Sequence, residues 1–411
     1  MPSKIDSSRG KKKAKATGSK TRTPQLTATR PGQISQWITV PVELQQLLLN
    51  VFKDTFSANF NSRCSKLVQE VKQHLYNRDF DNGFGNEGLR QAYAMRWSPS
   101  RALAYANIFY NLSTLTTRLL SASGAGTGDL DHGTIHELQD ASGKTGRASA
   151  AARNIEGKIS RIVCIGAGAG AEIVALGGYL NQLDRLALPT QSNIAPDGRR
   201  SEWPSQRHTG IIAIDIADWD SIACKLHSGI TTAPPISQYA SADTKAANAP
   251  LIGPDAFALK FVKQDVLNMA IEQMPAIFAD ATLVTLMFTL SELYSTSMSA
   301  TTNLLLSLTM LLSPGALLLV VDSPGSYSTI SIGKTSDSGD ESKRKKYPMQ
   351  WLLDHTLLES ATIGSSKNTS EDRQWEKLES RDSEWFRLSN ELRYPIDLED
   401  MRYQIHLYRR C

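Results

Sequence analysis

The chain is poor in cysteine, has no long apolar run and carries no histidine cluster. Its four cysteines, Cys64, Cys164, Cys224 and Cys411, are spread over 411 residues. They show no C-x-x-C spacing and have no histidine pair nearby, which argues against a disulfide framework or a zinc site. No metal is therefore expected. No apolar run reaches the roughly 18 residues needed to span a bilayer, so no membrane contact is expected either. The segment Met1-Pro-Ser-Lys4 leads into polar residues without the apolar core of a secretory signal, which predicts an intracellular protein.

What is present suits an ordinary globular chain, 41% hydrophobic and 21% charged, long enough for a large domain with an accessory one. The net charge of +4 hides an asymmetry. Residues 1–30 hold nine Lys/Arg (Lys4, Arg9, Lys11, Lys12, Lys13, Lys15, Lys20, Arg22 and Arg30) against Asp6. That is +8 for the tail, which leaves −4 for everything else. Residues 1–32 have too little apolar surface to fold and are predicted to be a disordered basic tail. Such a tail attracts phosphate and can serve nuclear import; the plainer reading is a solubilising extension.

Residues 33–120 predict a helical N-terminal subdomain. Leu44, Leu47, Leu48, Val51, Phe52 and Phe56 recur at helical spacing, and Leu67, Val71, His74 and Leu75 start a second stripe. A third helix begins near Arg101, with Ser98 as its expected cap and Pro99 at its first position. Between the second and third lies Tyr76-Asn-Arg-Asp-Phe-Asp-Asn-Gly-Phe-Gly-Asn86. Residues 121–157, small and polar, predict a flexible linker. From 158 to 411 strands and helices alternate, the grammar of a parallel α/β sheet. Strands are expected at 161–165, 210–215, 257–262, 281–288 and 316–322, with a closing pair at 384–388 and 403–408. Helices are expected at 303–312 and 347–358, and low-complexity insertions near 187–208, 230–255 and 328–346. The fold class is α/β: a Rossmann-like, seven-stranded sheet behind an N-terminal helical part.

The chemistry centres on Val163-Cys-Ile-Gly-Ala-Gly-Ala-Gly-Ala-Glu172. A strand that runs through Gly166, Gly168 and Gly170 into a helix lets the backbone approach a ligand closely. Gly166, Gly168 and Ala171 also satisfy the G-x-G-x-x-A dinucleotide fingerprint, so the loop alone leaves NAD and S-adenosylmethionine (SAM) both open. Three further features favour SAM. Asp215 ends the second strand, where an acid can chelate ribose hydroxyls. Asp265 and Val266 follow the third, where a polar group can meet the adenine amino group. Phe288-Thr-Leu-Ser-Glu-Leu-Tyr294 follows the fourth and brings Thr289, Glu292 and Tyr294 towards the methyl donor. Each acid alone is as well read as a helix cap. Together they line the carboxyl edge of the sheet. Class I methyltransferases usually place an acid two residues before the first glycine. Cys164 stands there instead, and Glu172 is the candidate to supply the missing charge.

Several stretches resemble the fungal 25S ribosomal RNA uridine-N3 methyltransferases, a family of class I SAM-dependent enzymes. They are Tyr76 to Asn86, Arg96-Trp-Ser-Pro-Ser-Arg-Ala-Leu-Ala-Tyr105, the glycine loop, Asp322-Ser-Pro-Gly-Ser-Tyr327 and Tyr347-Pro-Met-Gln-Trp-Leu-Leu-Asp-His355. The resemblance implies SAM as cofactor, ribosomal RNA or a pre-ribosome as partner, and the nucleus or nucleolus as location, with the cytoplasm left open. It implies methyl transfer to N3 of an unpaired or flipped uridine. Glu292 and Asp322 are then candidate proton acceptors, and Tyr294, Tyr327 and Trp97 candidate stacking partners, each with core packing as the alternative. Arg96 and Arg101 can bind RNA phosphate or the cofactor carboxylate, or pair with Asp79 or Asp81. Lys343-Arg-Lys-Lys346 is a second basic cluster. The competing readings are an inactive RNA-binding assembly factor on the same fold, a methyltransferase for protein or small molecules, and an NAD-dependent oxidoreductase.

Overall fold

Aliphatic runs that end in glycine, threonine or an acid become the strands of one sheet. The computed structural model describes residues 37–112, 115, 160–187, 208–325, 327–331, 344–359 and 373–411. The expected tail and linker, and most of the insertions near 187–208 and 328–346, lie outside the described residues. The strands are β1 (Ser160–Ile165), β2 (Thr209–Asp215), β3 (Phe257–Lys263), β4 (Ala281–Met287), β5 (Leu317–Asp322), β6 (Tyr327–Ser331), β7 (Arg344–Pro348), β8 (Trp375–Phe386) and β9 (Met401–Arg410). Seven form a sheet in the order β3-β2-β1-β4-β5-β9-β8, while β6 and β7 make a separate antiparallel pair.

Strands β1 to β5 are parallel to their neighbours, and β9 enters antiparallel between β5 and β8. Both β4 and β5 are buried along their whole length, as strands covered on both faces must be. The order reverses at β1, which has β2 on one side and β4 on the other, so a crevice opens at the carboxyl ends of these strands.

Before the sheet come α1 (Val42–Thr55), α2 (Cys64–Tyr76), α3 (Phe80–Gly83), α4 (Glu87–Arg96) and α5 (Ser98–Asn111). The remaining helices are α6 (Ala171–Ala187), α7 (Asp220–Thr231), α8 (Ala242–Ala247), α9 (Met274–Phe278), α10 (Leu290–Thr296), α11 (Met298–Leu311) and α12 (Met349–Asp354). Strand side chains alternate between faces. Val163, Ile165, Val284, Leu286, Leu318 and Val320 share one core with Leu304, Leu305 and Leu308 of α11 and Met349 and Leu353 of α12. On the other side α5 packs against α6, and α1 against α7. The N-terminal helices thus cover the crossover helices, and Ile38–Cys411 make one compact unit.

Several boundaries differ from expectation. The closing hairpin is longer than 384–388 and 403–408, because β8 begins at Trp375 and is bulged twice. Its charged, half-exposed residues mask the alternation that marks a strand. Residues 344–348 are a strand and the helix starts only at Met349, after Pro348 has removed a backbone donor. Helix α11 begins at Met298 rather than near Asn303, with the Ser297 side chain capping it. Ser98 does not cap α5; it is the first helical residue, and its hydroxyl donates to the Ala169 carbonyl in the glycine loop at 2.8 Å. Residues 230–255 carry the short helix α8.

Candidate active site

The glycine loop is held from three directions. Gly166 and Gly170 adopt φ of +80° and +84°, a region that side chains strain to enter. A Cβ on Gly166 would lie 2.3 Å from Thr289 Oγ1. Thr289 in turn donates to the Ile165 carbonyl at 3.1 Å, so it buttresses the turn. A Cβ on Gly168 would meet the Trp219 ring at 2.1 Å and Asp215 Oδ2 at 2.8 Å. One on Gly170 would meet Leu226 at 2.1 Å. The loop therefore needs its glycines for close approach as well as for φ.

Asp215 stands beside it. Its carboxylate accepts from Gly168 N at 3.0 Å and Ala217 N at 3.1 Å, and from the Trp219 indole. Burial pushes its pKa up to about 6 despite these donors. Trp219 is buried and packs against Phe84 at 5.1 Å and Tyr93 at 5.8 Å. Tyr93 also packs against Trp97 at 5.1 Å. An aromatic wall from the 76–97 stretch thus closes one flank of the loop. Neither Trp219 nor this wall was expected from the sequence.

Asp265 caps the turn after β3, accepting from Leu267 N at 2.9 Å and Asn268 Nδ2 at 2.6 Å, with Val266 buried beside it. Gln264 N donates to the Asp215 carbonyl at 2.8 Å, which ties the β2 and β3 ends together.

At the end of β4, Phe288 takes φ of +57°, and its ring faces Tyr105 at 6.4 Å. The half-buried Arg101 lies 5.3 Å from the Phe288 ring and 5.7 Å from that of Tyr93, whose hydroxyl it also contacts. Glu292, half-exposed, is paired with Arg78 of the loop after α2. Arg78 itself has a positive φ of 56°. This pair joins residues 214 positions apart at the mouth of the crevice.

Other expectations change. Tyr294 is 4% exposed and belongs to the core with Leu290, so it does not face the crevice as a stacking ring or catalytic group. Leu290 and Tyr294 are four residues apart on α10 and share its buried face, whereas Glu292 lies on the opposite side. Asp322 is 1% exposed and accepts from Ser291 N at 2.9 Å, Ser291 Oγ at 2.8 Å and Ser323 N at 2.7 Å. It anchors the start of α10 and is badly placed to take up a substrate proton. Arg96 pairs with Glu399, across 303 residues, and not with Asp79 or Asp81; Asp79 is held instead by His74 at 3.0 Å and by Asn82. Tyr327 opens β6 opposite Pro348; its side chain lies outside the described residues.

Glu172, the candidate for the charge that Cys164 lacks, is buried behind the glycine loop. It is 2% exposed and takes a hydrogen bond from Thr285 of β4 at 2.6 Å. Burial raises its pKa to about 8, so it is largely neutral at physiological pH. The Cys164 thiol is also buried and pushed well up.

A cavity of about 620 Å³ lies away from all this, between α1, α7 and residues 232–251. No group of three or more potential metal ligands converges among the described residues. No helix among them is long and apolar enough to cross a membrane.

The family described as "Putative SAM-dependent methyltransferase" matches residues 52–409, nearly the whole of the described chain. The chain belongs to this family. SAM is the cofactor of this methyltransferase, and the residues present fit it: a glycine turn with two positive-φ glycines at the head of a helix, and an acid at the end of the next strand that accepts from Gly168 N. The 25S rRNA (uridine(2843)-N(3))-methyltransferase of Saccharomyces cerevisiae is 30% identical over 371 residues, covering 88% of this chain and 85% of that protein. Among solved structures, a SAM-dependent methyltransferase of Methanosarcina mazei is 11% identical with a TM-score of 0.30, covering 61% of this chain and 92% of that one. The N-methyltransferase NodS of Bradyrhizobium japonicum, in complex with S-adenosyl-L-homocysteine, is 11% identical with a TM-score of 0.27, covering 61% and 78%. Likeness at that level carries no weight beside the strand order itself.

Proposed function

We propose that this methyltransferase modifies N3 of a uridine in large-subunit ribosomal RNA. The observation that carries this reading is the similarity to the yeast uridine-N3 enzyme along 88% of the chain. SAM, when bound, supplies an electrophilic methyl group. The chain's own residues must position the base and receive the proton that N3 gives up. Gly166, Gly168 and Gly170 let the cofactor approach the backbone, with Asp215 at the ribose and Asp265 and Val266 at the adenine. Thr289 keeps the loop in shape.

Arg101 is boxed by Tyr93, Tyr105 and Phe288. Such a half-buried cation suits the compact carboxylate of SAM better than an RNA backbone. Glu292 is the proton acceptor: it is half-exposed at the mouth of the crevice and oriented by Arg78, whereas the oxygens of Asp322 are already engaged. Trp97 serves through its packing on Tyr93 rather than as a stacking platform. The partner is ribosomal RNA, free or within a pre-ribosome, and the nucleus is the place where such a substrate is assembled.

Mass spectrometry of ribosomal RNA nucleosides, with and without the gene, tests the reading. A loss of 3-methyluridine restored by the wild-type gene supports it, and an unchanged 3-methyluridine level overturns it. Calorimetry with SAM separates this enzyme from an inactive assembly factor of the same fold, which would bind none.

A further inference from the structure

The segment from β7 to the end of α12 carries a surface that the crevice does not account for. Tyr347 in β7, Trp351 in α12 and His355 in the π-helical turn that follows it recur every four residues. Their rings form a ladder: Tyr347 to Trp351 is 4.6 Å between centroids at 27°, and Trp351 to His355 is 5.2 Å at 6°. Residues four apart share one face of a helix, and the opposite face is fully engaged, with Met349, Leu352, Leu353 and Leu357 buried in the core. Trp351 is 45% exposed, and His355 is exposed as well. Tyr347 is partly buried and packs against the core, so it seats the ladder, while Trp351 and His355 stand exposed.

The ladder continues a basic strand. β7 reads Arg344-Lys345-Lys346-Tyr347-Pro348, so three cations precede the first ring directly. Among the described residues, Asp354 is paired with Lys377 at 2.6 Å and Glu359 with His355 at 2.6 Å. The strand is also close to the crevice in topology. Pro348 lies opposite Tyr327 in the β6–β7 pair, and Tyr327 stands five residues beyond Asp322, the carboxyl end of β5. The ladder therefore starts on the strand paired with the segment that leaves the carboxyl end of β5.

A basic stretch of sequence leading into aromatic faces carries the chemistry that binds single-stranded nucleic acid, with charge tracking the phosphates and rings stacking on bases. We propose that β7 and the Tyr347–Trp351–His355 ladder form the docking platform for the unpaired RNA strand that flanks the target uridine. The inference rests on the reading of this chain as an RNA methyltransferase. It adds a second contact region, outside the cofactor crevice, that grips the strand through its bases and backbone without reading sequence.

The test uses the full chain and a labelled single-stranded oligoribonucleotide containing uridines, followed by fluorescence anisotropy. Trp351→Ala should weaken RNA binding about tenfold, the usual cost of removing one stacking ring. Trp351→Phe should recover most of that loss. Lys345→Ala with Lys346→Ala should flatten the salt dependence by about 0.7 in slope for each phosphate that is no longer neutralised. SAM affinity and melting temperature should stay at wild-type values in all three, and the same sequence as a duplex should show little effect of Trp351→Ala. If wild-type protein binds and methylates RNA while Trp351→Ala and the lysine variant bind with wild-type affinity and salt slope, the platform is overturned and the methyltransferase reading stands. If wild-type protein binds SAM but no RNA, both fall. If Trp351→Ala loses association with a purified ribosomal protein but not with RNA, the surface is a protein contact and the platform is overturned.

Discussion

The two sides of the crevice are made differently. On the β1–β2–β3 side the groups are glycines, backbone N–H groups and two acids that cap their own turns, closed in by Thr289 and the buried Trp219. On the β4–β5 side the mouth carries exposed side chains from distant segments, with Arg78 brought to Glu292. The first side suits a ligand whose shape never varies. The second suits a large, flexible polymer that must enter and leave. A cofactor pocket can be built from backbone, since it needs only close approach and a few fixed donors. A polymer site needs cations, rings and a proton acceptor, and those are side chains.

The sharpest way to break this contrast is to fill the cradle. Gly166→Ala puts a side chain at φ of +80° and a Cβ 2.3 Å from Thr289 Oγ1. Backbone strain of this kind costs roughly 1–3 kcal/mol before the clash is counted. SAM affinity by calorimetry should drop on the order of 100-fold, with RNA affinity little changed. Equal losses of both would mean that the two sides are not separate.

The same contrast governs what was legible in the sequence. The succession of strands along the chain and the glycine turn after β1 could be read because a strand, a turn and a helix in series leave a local pattern. The pairings of Arg78 with Glu292 and of Arg96 with Glu399 leave none, since each joins segments hundreds of residues apart. Trp219 was missed because a single tryptophan four residues after Asp215 has no periodicity to betray it. Tyr294 was misjudged because α10 begins right after Thr289, and its helical phase turns that ring back onto Leu290. Glu172 lies beside the loop, but its helix directs the carboxyl to Thr285 in the interior, an orientation no sequence pattern reveals.

Removing the proposed proton acceptor should act on the other side alone. Glu292→Gln keeps the size of the side chain and part of its contact with Arg78 but cannot accept a proton. General-base contributions are typically 10²–10⁴-fold, so kcat should fall by roughly 100-fold or more. SAM affinity should stay unchanged, because Glu292 is not among the groups that hold the loop. A fall in SAM binding with little change in single-turnover rate would move Glu292 to the cofactor side and leave the proton acceptor unassigned.

The smallest effect concerns stability and marks where the cofactor side meets the core. Glu172 has an ordinary carboxyl pKa near 4.5 in the unfolded chain and about 8 in the folded one, raised mainly by burial. The folded state therefore holds the proton more tightly, and its advantage is complete below pH 4.5. That advantage is lost as pH rises towards 8, where folding must bury a charge. Glu172→Gln has no proton to lose and keeps an oxygen for the Thr285 hydroxyl. At about pH 5 the two proteins should melt within about a degree of each other, and at about pH 9 the variant should melt higher by roughly 5 °C. SAM affinity at neutral pH should be nearly the same in both, since a neutral carboxyl facing Thr285 offers the cofactor no charge. A large loss of SAM binding in Glu172→Gln, with no gain in stability at alkaline pH, would show that Glu172 is ionised and replaces the acid that Cys164 displaced.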